Sequence, residues 1–240
     1  MNYDNPAGRL LEILLKVKTY SKGTAAREVW QSVLGLPPSE ILSPLMNAKI
    51  ATVMSLVHQA LELLREEHPE LAESTPGWAT QVCTAFQLQN LHGTINEFTS
   101  QISNETISNV RMTAVLLDKG SRRKTLSSDE LAEMRDSINS VLDEVLKSAE
   151  LDSEIRAYLA RALRKILTAI EDFQLTGAAP ILESIEQAVG HVMVDPEYKN
   201  FLINNQLGQR VLDAFQAASC IVTVAVGMPA LTQAAQLFLR

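Results

Sequence analysis

Side-chain catalysis draws on histidines, cysteines and paired carboxylates, and in this chain such residues are few and scattered. The four histidines are His58, His68, His92 and His191. A zinc hydrolase needs two imidazoles on one helical turn with a carboxylate beside them, and no two of these histidines have that spacing. His58 and Glu62 share a helical face at i and i+4, but two ligands without a third read as a satisfied or solvated pair. The two cysteines, Cys83 and Cys220, lie far apart, so one chain builds neither a disulfide framework nor a four-thiolate site. Cys83 stands near Val82 and Phe86, and Cys220 in the most apolar run. Both are expected to be inert thiols packed in the core. No serine occupies a Gly-x-Ser-x-Gly elbow. The glycines are spread singly, so the clustered glycines of a P-loop or dinucleotide fingerprint are missing. Arg65 and His68 are too close together for the arginine-to-histidine spacing of small helical RNases. Glu150, Asp152 and Glu154 gather where a helix begins, and the positive end of that helix explains them. No cofactor and no metal is expected. An active site assembled in three dimensions from distant residues stays open, although the Glu-x-x-His motifs of metal-carboxylate bundles do not occur.

Charge narrows the partners. Twenty-one basic against 28 acidic residues give a net charge of −7, the reverse of a general nucleic-acid binder. The basic residues gather in two places. Lys119, Arg122, Arg123 and Lys124, followed by Thr125, Ser127 and Ser128, form a run that could touch a phosphate, an acidic partner or an anionic membrane. With no interleaved aromatic to stack a base, a solvated loop is its plainer reading. Arg161, Arg164 and Lys165 beside Tyr158 form the second patch, for which pairing with the surplus carboxylates is the plainer account. Trp30 and Trp78 each follow a helix start and are expected to anchor interhelix packing.

These residues must be positioned by helices, because nearly every apolar run repeats at three and four. With 46% hydrophobic residues in 240, the chain has ample material for a core. The expected fold is an all-α multi-helix bundle. Asn5 before Pro6 starts a helix over 6–20. Thr24 caps a shorter one carrying Val29, Trp30, Val33 and Leu34, which Gly35, Pro37 and Pro38 stop. Ser43-Pro44 opens a long helix with core positions Ile50, Val53, Met54, Val57, Leu61 and Leu64, closed by His68-Pro69. Thr75-Pro76 starts a segment through Trp78, Val82 and Phe86 towards Ile102, kinked or split at Gly93. Asn104 starts another with Ile107 and Val110. After the basic run, Ser127 with Glu130 makes a capping box ahead of Leu131, Met134, Ile138, Val141 and Val145. Asp152 caps a strongly amphipathic helix that ends near Thr176-Gly177. Further helices are expected over 180–194 and from Asp195-Pro196 to Phe201. The organisation reads as a helical half over 1–118, a basic loop over 119–126 and a second half over 127–240, with one continuous bundle equally compatible.

The C-terminal segment departs from this pattern. No charged residue stands between Asp213 and Arg240. The run over 214–239, with Ala214, Ala218, Ile221, Val222, Val224, Val226 and Leu231, is long enough for a bilayer span of roughly 20 residues. Gly227 and Pro229 interrupt it, and Arg210 and Arg240 flank it almost alone, without an aromatic belt. Three readings stay open: a helix buried in a bundle or at an oligomer interface, membrane association, and insertion that follows a trigger. Ala214, Ala218 and Ala225 would allow close helix approach in any of them. The expectation from the whole sequence is a non-enzymatic interaction or assembly protein, using this segment to bind itself or a protein partner. The alternative is a membrane-acting effector, of the toxin or defence type found in bacteria, inserting 214–239 into a bilayer. With no basic leader ahead of an apolar core at the N-terminus, a cytoplasmic location is expected, with peripheral or conditional membrane contact under the alternative.

Overall fold

The structure, a computed structural model, describes residues 4–71, 76–118, 126–149 and 151–226. It is all-α: among the described residues there are twelve α-helices and three 3₁₀ turns. One isolated antiparallel bridge, between Ala25 and Thr94, is the only β-type pairing among them. The chain divides into two compact units, Met1–Ser121 and Arg122–Arg240.

Unit 1 holds α1 (Pro6–Lys18), α2 (Ala26–Val33), α3 (Pro44–Glu67), α4 (Gly77–Leu88), α5 (Asn96–Thr99) and α6 (Asn104–Asp118). α1 packs on α3 and α6, and α4 packs on the same two helices. α1 begins as its sequence predicts: Asn5 Oδ1 accepts from the Gly8 amide at 2.9 Å, and Pro6 supplies the first helical residue. Asn5 is itself buried, and its Nδ2 donates to the Ala114 carbonyl of α6 at 3.0 Å. Trp30 is fully buried in a trio with Phe86 and Phe98, at ring separations of 5.7 and 5.2 Å. Its indole Nε1 donates to Gln89 Oε1.

Two expectations for unit 1, on Thr24 and Met54, are corrected, and a third, on Gly93, is narrowed. Thr24 does not cap α2, whose N-cap is Ala25 without a side-chain bond. The Thr24 carbonyl instead accepts from Ile95, and the Gly93 carbonyl accepts from Ala26, so the start of α2 is held by the bridge. Of the two outcomes expected at Gly93, the segment is split rather than kinked: α4 ends at Leu88, α5 starts at Asn96, and Gly93 lies in the bridged connection between them. Met54 is 43% exposed on α3 rather than part of the core.

Unit 2 holds α7 (Ser128–Lys147), α8 (Ser153–Glu171), α9 (Phe173–Thr176), α10 (Ala179–Gly190), α11 (Pro196–Asn204) and α12 (Gln206–Val226). Four of these close a ring: α7 packs on α8, α8 on α10, α10 on α12, and α12 back on α7. α11 packs on α12. Ser127 and Glu130 form the reciprocal capping box at the start of α7. Asp152 and Asp195 cap α8 and α11 through paired bonds to the next amides. The helix expected to run to Thr176 ends at Glu171 and resumes as α9, which Gly177 stops at φ +77°, a conformation glycine adopts without strain.

Candidate interaction surfaces

α12 takes up the first half of the anomalous uncharged run. Asn205 Oδ1 accepts from the Leu207 amide at 2.8 Å and starts the helix. Val211, Ala214, Phe215, Ala218 and Val222 then recur at helical spacing, and all five are buried in unit 2's core. Ile221 is partly buried against the same core. Ala214, Ala218 and Val222 are therefore core positions of their own chain, and any contact with another molecule falls to the opposite flank. On that flank Asp213, Gln216, Ala217 and Cys220 are exposed. The side chains of Val224 and Val226, and the whole of Leu231, lie outside the described residues.

The two basic patches fare differently. Lys119, Arg122, Arg123 and Lys124 lie outside the described residues. Arg161, Arg164 and Lys165 are exposed on α8. The expected pairing with carboxylates does not occur: among the described residues none of the three has an acidic oxygen within 4.0 Å. The Arg161 guanidinium lies 5.6 Å from the centroid of the Tyr158 ring, and Lys165 donates to Gln187 Oε1 at 2.5 Å. Lys165 thus ties α8 to α10 through an amide, whereas the Arg161–Tyr158 contact lies within α8 itself.

A cluster beside this patch was not anticipated. His191 stacks on Tyr158 at 3.9 Å between ring centroids and meets the edge of Tyr198 at 5.2 Å. His191 Nε2 is 3.5 Å from Asp195 Oδ2, while Asp195 Oδ1 caps α11. Tyr198 is fully buried and donates to the Ala188 carbonyl at 3.2 Å. Burial pushes its phenol far above the ordinary tyrosine range, helped by Tyr158 and Asp195. The Tyr158 phenol is also pushed up, chiefly by burial. Both phenols stay protonated in this setting, and through their bonds to the Gln187 and Ala188 carbonyls the cluster forms a hydrogen-bonded junction of α8, α10 and α11. Its only sequence signal was the i, i+4 pair His191 and Asp195, since Tyr158 arrives from another helix.

The remaining chemistry-bearing residues are dispersed. Glu62 pairs with Arg65 rather than with His58, and His68 Nδ1 stands 3.4 Å from Glu70. Asp152 is held below the usual carboxylate range by the Glu154 and Ile155 amides it caps. Among the described residues no three His, Cys, Asp or Glu side chains are placed to hold a metal ion. Cys83 and Cys220 are both exposed, which corrects their expected burial. Sequence neighbours on a helix point about 100° apart, so the buried Val82 says nothing of Cys83. Among the described residues no helix is long and apolar enough to cross a membrane. Compared with known protein families, curated proteins and solved structures, the chain matches none.

Proposed function

We propose that this chain is a non-enzymatic association protein whose contact surface is the outer flank of α12 together with the uncharged residues that follow it. One observation carries the reading: α12 exposes Gln216, Ala217 and Cys220 on a flank that carries no charge after Asp213. A helix flank facing water usually carries charged residues, and a small, uncharged flank favours close approach of a second helix. The way the acids are used supports the same role, because Asp152 and Asp195 serve as helix caps. The partner is a second copy of the chain or another protein.

The test is the mass of the full chain by light scattering across a concentration series. The expected result is a species heavier than one 26.4 kDa chain, returned to that mass by Ala217→Arg. In a Cys83→Ser background, a short bismaleimide should join two chains through Cys220. A monomer at every concentration, with no crosslink, would remove self-association. Val222→Asp is unsuited to this test, since it places a charge inside the unit's own core.

The length of the uncharged run supports a second reading, a membrane-acting effector that inserts 214–239. Insertion would require α12 to leave the ring it closes, exposing Val211, Phe215 and their partners. Flotation with liposomes separates the two readings when the full chain is compared with one ending at Val226, which keeps the buried face of α12. Flotation of the full chain alone would favour the bilayer.

A further inference from the structure

Unit 2 carries a groove of about 600 Å³ between the α7–α8 turn and α11, within the size range of ligand pockets. Leu151, Ile155 and Phe201 line it with apolar surface, and Asp152 and Glu197 bring two exposed carboxylates. Among the described residues no lysine, arginine or histidine lines it. Arg156, the cation that acts on Asp152, donates to the Leu151 carbonyl at 2.6 Å. An anionic ligand is therefore disfavoured. A bare metal ion is disfavoured as well, because among the described residues the two carboxylates have no third strong ligand beside them. Amides complete the lining: Asn205, and Asn204, which donates to Asn200 at 2.6 Å. An amide side chain both donates and accepts, which a metal does not require and a peptide backbone does.

We infer that this groove binds a basic peptide segment of another chain. The ammonium or guanidinium lies by Asp152 and Glu197, its aliphatic stem lies along Leu151, Ile155 and Phe201, and its backbone bonds to the asparagine amides. The assignment is independent of the α12 flank, which belongs to a different helix and carries no charge after Asp213.

The probe is a fluorescein-labelled synthetic peptide of the chain's own residues 117–126, which carries Lys119, Arg122, Arg123 and Lys124 between two leucines. It is titrated with the full chain and followed by anisotropy. Saturable binding is expected. The combined Asp152→Asn and Glu197→Gln variant should weaken it about five- to tenfold, the effect of losing two rim charges. Asparagine at 152 still caps α8, so helical circular dichroism should not change. Glu197→Lys should weaken binding further. Absence of saturable binding at millimolar protein, or equal affinity in the double variant, overturns the assignment. Displacement by spermidine as effective as by unlabelled peptide also overturns it, since positive charge alone would then be what is recognised.

Discussion

Asn5 does two jobs from a buried position, and both are lost together on truncation. Its Oδ1 caps α1 and its Nδ2 satisfies the Ala114 carbonyl. Loss of a cap costs about 1 kcal/mol, and losing the partner of a buried carbonyl costs about 1–3 kcal/mol. Asn5→Ala should therefore lower the stability of unit 1 by about 2–4 kcal/mol, read from urea unfolding. Tyr198 makes a pH prediction. Its folded pKa is raised above the unfolded value near 10, so the stability it contributes is complete below about pH 10. That contribution is lost as pH rises further and the unfolded chain ionises first. Unfolding midpoints measured from pH 8 to pH 11 should fall steeply at the alkaline end, and Tyr198→Phe should flatten most of that fall. At neutral pH the same substitution costs about 1 kcal/mol for the hydrogen bond.

At the scale of elements, the contact between α11 and α12 depends on one glycine. A Cβ placed on Gly208 would lie 2.1 Å from the Phe201 carbonyl oxygen and 2.8 Å from the Leu202 Cα. Backbone atoms cannot give way as a side-chain tip would, so Gly208→Ala should force the two helices apart at a cost of at least about 2 kcal/mol. Gly190 is the control, because it closes α10 with nothing within 4 Å of the same position. Gly190→Ala should be neutral or stabilise by about 0.5 kcal/mol through the smaller entropy of the unfolded chain. Thermal unfolding of the two variants side by side reads the contrast. The sequence shows two glycines near helix ends and no means of ranking them, since the difference lies in what approaches from another helix.

At the scale of the molecule, the two units have the dimensions of separate domains. The core of unit 2 is a closed set running from Leu126 to Val222. Fragments 1–121 and 122–240 should each show helical circular dichroism and a cooperative urea transition. Within unit 2 the ring of α7, α8, α10 and α12 makes a sharper demand. A fragment 122–226 should fold, whereas 122–213 lacks Phe215, Ala218 and Val222 and should not. Equal folding of the two would mean that α12 adds little to the core.

Periodicity and caps carried the helices. Asn5-Pro6, Ser43-Pro44, the Ser127–Glu130 box, Asp152 and Asp195-Pro196 each mark a helix start that the structure reproduces. Such signals are legible because a cap bonds to amides two or three residues away, so its partners lie within the same stretch of sequence. The interaction surfaces were less legible. The uncharged run after Asp213 was visible as an anomaly, but which side of α12 it offers to a partner was not, because burial is settled by α7 and α10. The start of α2 differs from the expected Thr24 cap for the same reason: the Ala25–Thr94 bridge joins residues far apart in sequence. The stacking of His191 on Tyr158 and the groove by Asp152 likewise depend on distant segments meeting. The sequence by itself determined an all-α chain, its helix starts and its lack of local catalytic motifs, since these follow from short-range bonding and periodicity. The tertiary structure alone decided which faces are core and which are free, because that depends on what each helix packs against.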